Sequence, residues 1–316
     1  MNSTALLTVR VARKAQEATD ICSLELVATD GSALPSFTAG SHIDVHLPGG
    51  LTRPYSLCNN PAETQRYVLG VLREPSSRGG SLAVHDTLRE GDLLQISAPK
   101  NHFAMASDAK RSLLLAGGIG ITPILSMAEH LSASAADFRM HYSTRSVERT
   151  AFRTRIAASA FAGQVQHHFD DGDAAQKLDL AAVLAAPQTG THLYVCGPKG
   201  FMDAVLTTAR AQGWPEAQLH SEFFSAEVVH LATDAAFEVK IASSGKVVLV
   251  PKDQTVVQAL AAAGVDILTS CEQGVCGTCL TRVLDGTPDH KDSYLLPEEQ
   301  AANDQFMPCC SRSKSP

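Results

Sequence analysis

Hydrophobic positions change their period from segment to segment, and the changes mark the elements. LLLAGGIGITPILSM, residues 113–127, opens with an apolar run that reads as a buried strand. It then passes through a glycine turn into a helix with Pro123 near its first turn. THLYVCGPKGFMDAV, residues 191–205, repeats strand, turn and helix, with Cys196 at the carboxyl end of the strand. FEVKI (237–241) and KVVLV (246–250) flank a Ser-Ser-Gly turn and predict two paired strands. TVVQALAAAGV follows as a short helix, with Thr255 as N-cap and Gly264 as its stop. REPSSRGGSLAVHD, residues 73–86, places Gly79, Gly80 and Ser81 at the opening of another helix. No apolar run reaches the roughly 18 residues needed to cross a bilayer, so no membrane span is expected.

Composition narrows the classes. At 316 residues the chain has room for two or three domains, and with 44% hydrophobic and 19% charged residues it can bury real cores. A formal net charge of −7 argues against a general affinity for nucleic acid or anionic lipid. The N-terminal stretch MNSTALLTVRVARKAQ lacks an apolar segment before a cleavage site, so a cytoplasmic location is expected. The eight cysteines are then better read as metal ligands or inert core residues than as disulfides.

CEQGVCGTC, residues 271–279, carries Cys271, Cys276 and Cys279 in the pattern C-x4-C-x2-C, with Cys309 and Cys310 far downstream. That is the plant-type [2Fe–2S] spacing. A structural zinc site would more naturally use two short pairs, C-x2-C with a second C-x2-C or H-x3-5-H. Gly274 and Gly277 let a tight loop turn its backbone N–H groups toward sulfur. Cys309 and Cys310 are adjacent in a segment read as extended, where successive side chains point to opposite faces, so only one of them reaches the iron. Cys22 and Cys58 are expected to be buried, with no redox task.

The glycine turns carry the second chemistry. Gly117, Gly118 and Gly120, followed by Thr122, let backbone N–H groups approach an anion at a helix N-terminus, which suits a dinucleotide pyrophosphate. The usual G-x-G-x-x-G spacing is not met. Cys196, Gly197 and Pro198 form the second turn, at the strand end where open α/β sheets bind ligands. Arg145, within HYSTRSVERTAFR (141–153), is a candidate for the adenosine end of the nucleotide; a solvated basic loop is the plain alternative.

Two strands, a helix and the cysteine loop follow the order of a plant-type ferredoxin, which residues 232–316 resemble. GGIGITP with the later YVCGP resembles the pyridine-nucleotide half of the ferredoxin–NADP reductase superfamily, and RPYSLCN (53–59) resembles its flavin barrel. The order of the motifs is similar to phthalate dioxygenase reductase and the vanillate demethylase reductases over essentially the whole chain. The resemblance implies a multidomain fold. An antiparallel β-barrel flavin domain spans 1–104 and an α/β parallel-sheet nucleotide domain 105–225. A linker follows over 226–236, then an α+β ferredoxin domain of the β-grasp type over 237–316.

It also implies roles. Tyr55 would stack on the flavin ring, Arg53 would answer phosphate or reduced-ring charge, and Ser56 would hydrogen-bond the ring edge near N5. Gly79, Gly80 and Ser81, assisted by Arg78, would cradle the phosphate of FMN. Phe223 and Phe224 in SEFF are candidates to lie near the flavin, against ordinary core packing. Ser56 and Cys196 are the catalytic candidates, Cys196 as a positional or steric group near nicotinamide. In the relatives the ligand cysteine precedes one residue and then Ser-Arg, which selects Cys309 as the fourth ligand and leaves Cys310 as a small core residue.

Nicotinamide delivers two electrons as one hydride and a [2Fe–2S] cluster accepts one at a time, so a flavin belongs between them. The expected function is an NADH-dependent FMN and [2Fe–2S] reductase. It would feed a separate Rieske-type terminal oxygenase acting on aromatic acids or similar compounds, and work as a monomer. A free-standing flavin or ferric reductase and a redox-sensing cluster module are the alternatives.

Overall fold

The computed structural model describes residues 6–74, 77, 79–185, 187–224 and 234–315. The chain divides into two compact units, Met1–Glu222 and Phe223–Pro316.

Six strands build the first part of the first unit: β1 (Leu7–Ala18), β2 (Ile21–Ala28), β3 (His42–Leu47), β4 (Leu51–Ser56), β5 (Tyr67–Leu72) and β6 (Leu93–Ile96). They lie in the order β4-β3-β6-β1-β2-β5, and every pair is antiparallel. The two end strands meet through the bridge Leu57↔Leu69 and the bond from Cys58 N to Val68 O at 2.9 Å, so the sheet closes on itself. Closure removes the open edges that would otherwise invite pairing with another chain. Val9, Val11, Leu24, Leu26, Ile43 and Val45 fill the interior with almost no exposed surface. Each such side chain contributes about 1.5–3 kcal/mol of burial.

Five parallel strands follow: β7 (Arg111–Gly117), β8 (Asp137–Thr144), β9 (Val165–Phe169), β10 (Thr191–Cys196) and β11 (Leu219–Glu222). Their order is β11-β10-β7-β8-β9. All six residues of β10 are buried, as expected for an inner strand with both faces covered. The chain starts on β7, runs outward to β9, then returns to the other side of β7. The strand order therefore reverses between β7 and β10, and a crevice opens outside their carboxyl ends. Helices Ile121–Ala133 and Lys199–Ala211 begin there.

Barrel and parallel sheet share one core. Ile21, Cys58, Val68 and Phe103 pack in the same cluster as Ile121, Tyr142, Phe152 and Tyr194. The separately expected 1–104 and 105–225 segments thus form one compact unit. It ends at Glu222, so Phe223 and Phe224 fall in the second unit. Of the expected linker, residues 226–233 lie outside the described residues.

The second unit is α+β. β12 (Phe237–Lys240) pairs antiparallel with β13 (Val247–Val250), and the helix Val256–Ala262 packs on their buried face. Thr255 and Gln258 form a reciprocal capping box at the helix start, and Gly264 takes a left-handed φ of +76° just past its end. After the cysteine loop, β14 (Thr281–Arg282) pairs with β16 (Gln305–Phe306), and β15 (Pro288–Asp289) with β17 (Arg312–Ser313). Among the described residues no helix is long and apolar enough to cross a membrane.

Candidate functional site

The reversal of strand order places the glycines of both turns against each other. A Cβ on Gly120 would stand 2.2 Å from Cys196 O, and one on Gly197 would stand 3.0 Å from Gly117 Cα. A Cβ on Gly117 would meet Phe201 at 2.8 Å and Pro198 at 3.0 Å. Only hydrogen fits at these positions, so the two backbones approach closely enough to form one floor. The chain turns through a single 3-10 turn, Gly118–Gly120, before the helix Ile121–Ala133 begins. Its N–H groups face the crevice end, where the helix dipole favours an anion. Thr122 is buried, donates to Ile119 O at 3.1 Å, and its methyl would lie 2.7 Å from a Cβ on Gly70 of β5. Thr122 thus locks the helix start to the barrel.

The barrel contributes β4. A Cβ on Gly80 would be 2.7 Å from Arg53 Cγ, so the arginine stem lies across the Gly79–Ser81 turn. Gly79 adopts φ +92°, a conformation that L side chains rarely take. Ser81 Oγ donates to Ser77 Oγ at 2.9 Å and accepts from Glu74 N at 3.1 Å. The helical segment that follows, Gly80–Leu82 running into Ala83–Thr87, is closed by Lys14, whose Nζ donates to Val84 O, His85 O and Leu88 O at 2.7–2.9 Å. Tyr55 is half-buried against the barrel core, and burial pushes its phenol well above the ordinary range. Arg78 lies outside the described residues.

β4 and the parallel sheet meet at a residue that the sequence did not single out. Ser56 Oγ donates to Glu222 Oε2 at 3.3 Å, and Glu222 pairs in register with Cys196. Although part of its surface meets solvent, Glu222 is packed closely enough that desolvation pushes its carboxyl up to about 8, against the opposing hydrogen bond from Ser56. Cys196 is fully buried; burial and then the neighbouring Glu222 raise its thiol well above the ordinary range. A thiol held in this way is neutral and is no nucleophile. The only sequence signal for Glu222 was its place at the end of a strand, next to the Phe223–Phe224 pair.

In the second unit Cys271, Cys276, Cys279 and Cys309 are all buried. Among the described residues no three His, Cys, Asp or Glu side chains surround one point as a single ion would require. The sulfurs approach pairwise instead, Cys276 on Cys271 and Cys279 on Cys309, with Cys271 also meeting Cys309. Hydrogen bonds from Cys276 and Cys309 draw the Cys271 thiol down, and the same contacts push those two partners up. Gln273 N donates to Cys271 Sγ at 3.3 Å and Cys271 N to Cys276 Sγ at 3.5 Å. Gly274 and Gly277 both take φ +72°, and a Cβ on either would come within 2.4 Å of Cys310 Sγ or Tyr294 Cζ. This donor set, four buried thiols in facing pairs with backbone N–H groups on sulfur, fits a two-iron cluster.

One expectation about this site is corrected. Cys309 and Cys310 do not lie on an extended segment; Cys310 N and Ser311 N both donate to Met307 O, at 3.1 and 2.9 Å, so the chain turns there. Strand alternation therefore does not separate the two thiols. Cys309 faces Cys271 and Cys279 and also meets Cys310, whose thiol packs against Gly274 in the same loop. Cys22 and Cys58 are buried, and burial raises their thiols to about 11 and about 12. Arg145 is exposed just past the end of β8.

Known proteins share this arrangement. Residues 239–314 match the 2Fe-2S iron-sulfur cluster binding domain, and residues 97–219 match the N-terminal domain of dimethylamine monooxygenase subunit DmmA-like proteins. A vanillate O-demethylase oxidoreductase of Pseudomonas putida is 57% identical over 97% of this chain and 96% of its own. The solved phthalate dioxygenase reductase, described as a modular structure for electron transfer from pyridine nucleotides to [2Fe-2S], is 38% identical. It covers 98% of this chain and 96% of its own with a TM-score of 0.78. An intact type IV self-sufficient cytochrome P450 monooxygenase matches 98% of this chain with a TM-score of 0.84 and 40% identity, and this chain spans 40% of that protein's length.

Proposed function

The chain belongs to the family of the vanillate O-demethylase oxidoreductases and phthalate dioxygenase reductase, and from that premise we propose that it is the NADH-dependent reductase component of an oxygenase system, with FMN and a [2Fe–2S] cluster as its carriers. Its acceptor is a separate terminal oxygenase of the Rieske type acting on an aromatic acid or a similar compound. The reductase works in the cytoplasm as a monomer.

The hydrogen bond from Ser56 to Glu222 carries the reading. It ties the R-x-Y-S strand of the barrel to the strand ends beside Cys196, so the residues suited to a flavin ring abut those suited to a nicotinamide. FMN supplies the exchange between two-electron and one-electron chemistry that no side chain provides. Tyr55 supplies the flat face against the ring, and Arg53 with Gly79–Ser81 holds its phosphate end. Gly117, Gly118 and Gly120 leave room for the dinucleotide pyrophosphate, with Gly197 and Pro198 flanking the nicotinamide. Cys196 shapes that pocket without giving up its proton, and Arg145 stands at the adenosine end. Cys271, Cys276, Cys279 and Cys309 hold the cluster, while Gly274 and Gly277 let the backbone close around it. The side chains of the two catalytic candidates, Ser56 and Cys196, orient the carriers rather than react.

The purified holoprotein should reduce cytochrome c rapidly with NADH, and flavin released by heating should run as FMN. A cluster that is reduced only sluggishly by NADH would favour the sensing module, and a dominant FAD peak would overturn the cofactor assignment.

A further inference from the structure

The end of β8 poses a puzzle. In open α/β sheets the ribose 2′ position of the adenosine is read beside the glycine turn, by an acid for NAD or by an arginine for NADP. Here Arg145, Arg149 and Arg153 follow β8, a set that by itself would welcome a 2′-phosphate.

The structure answers Arg149 with a carboxylate. Arg149 Nη1 lies 3.1 Å from Asp20 Oδ2, and Asp20 comes from the β1–β2 turn of the barrel. That turn is built for delivery. Asp20 takes a left-handed φ of +63°, its carbonyl accepts from Arg73 N at 2.7 Å, and Thr19 N donates to Glu148 O at 2.8 Å. The receiving turn is equally fixed: Thr150 Oγ1 donates to Ser146 O at 2.9 Å and shares a 2.7 Å contact with Thr144 Oγ1. Glu148 is held ionised by its own backbone N–H and by Ser146, and it stands against the charge of Arg153. Arg145 sits where the register continues past Thr144↔Phe169, beside Asp170, and its carbonyl accepts from Asp171 N at 3.2 Å. A 2′-phosphate entering here would meet Arg149 already engaged, and carboxylates that repel it.

We propose that Asp20, reaching over from the barrel, sets the preference for NADH over NADPH by holding Arg149 in an ion pair and adding negative charge where a 2′-phosphate would lie. The inference rests on the reading above that the adenosine end of the nucleotide lies over the end of β8. It places a specificity determinant outside the nucleotide-binding half of the unit, on the β1–β2 turn of the barrel.

Asp20→Asn in the holoprotein is the test, because asparagine tolerates the left-handed backbone and removes only the charge. The pair is part-exposed, so the effect is moderate: the ratio of kcat/KM for NADPH to that for NADH should rise about fivefold or more. Competitive inhibition of NADH oxidation by 2′,5′-ADP should tighten by a similar factor while that by 5′-AMP stays unchanged. Adding Arg149→Ala should return both to the wild-type values. An unchanged ratio, with both adenosine phosphates still competing against NADH, overturns the role of Asp20 and leaves the site reading standing. Failure of both compounds to compete in the wild type overturns the site reading, and the inference with it.

Discussion

Glu222 is the carboxyl that the strand-order reversal packs beside Cys196, and its replacement by glutamine gives a quantitative test. Burial raises its carboxyl from 4.5 to about 8, so roughly nine-tenths of the molecules carry it protonated at pH 7. The folded chain therefore holds this proton more tightly than the unfolded chain does between about pH 4.5 and about pH 8. Stability contributed by the group falls as pH rises through that window and is lowest above it, where a charge is forced into the site. Each pH unit in the window is worth about 1.4 kcal/mol, which gives on the order of 4–5 kcal/mol across it. Glu222 keeps some contact with solvent, and about 2 kcal/mol is the appropriate figure after that screening. Glu222→Gln preserves the shape and can still accept from Ser56, but it has no proton to lose. The difference in melting temperature, variant minus wild type, should open by roughly 4–8 °C between about pH 5.5 and about pH 9 for a unit of this size. A difference that stays flat, or one in which the wild type gains at alkaline pH, would show an ionised and paired glutamate and refute the reasoning.

Three further outcomes follow from particular contacts. Cys309→Ser should lose the visible absorption of the cluster while NADH still reduces the flavin, whereas Cys310→Val should retain both; loss of the cluster in the second variant alone would shift the ligand frame by one residue. Gly120→Ala puts a methyl 2.2 Å from Cys196 O, so it should destabilise the fold by about 1–3 kcal/mol and raise the KM for NADH, and an unaltered melting curve would contradict the close approach of the two turns. Gly274→Ala meets Cys310 Sγ at 2.4 Å with φ at +72°, so it should impair cluster incorporation; Cys310→Ala in the same chain should relieve the steric part but not the backbone strain, and full incorporation in the single variant counts against this packing.

The residues that could be read in the sequence share a property: their chemistry is local. A glycine turn between an apolar run and a helix states its own geometry within about ten residues, and C-x4-C-x2-C brings three sulfurs together by spacing alone. The capping box at Thr255 and Gln258 is local in the same way, and it forms where the pattern placed the helix start. Contacts between distant segments were not legible. Glu222 is 166 residues from Ser56, and its protonation follows from burial that no window of sequence records. The turn at Cys309–Cys310 is illegible for the same reason: the backbone bonds to Met307 that bend it leave no mark on the hydrophobic period.

The same distinction explains why barrel and parallel sheet form one unit although their motifs read as separate modules. Ile21 and Val68 look like ordinary barrel strand positions, and Cys58 lies just past the end of β4, yet their side chains enter the core of Ile121, Tyr142 and Phe152. Period-2 alternation says that a side chain leaves the barrel interior; it does not say whether water or another sheet lies outside. Here another sheet does, and it fixes the β1–β2 turn against Glu148 and Arg149 and β4 against Glu222. Groups that must hold two carriers at fixed separation need that rigidity, because misplacement of about 1 Å can lower a transfer rate a hundredfold. A shared core supplies it, where a flexible tether would not. The glycines and cysteines announce which carriers are held, and the unmarked apolar residues between them determine how closely the barrel and sheet sites are kept together.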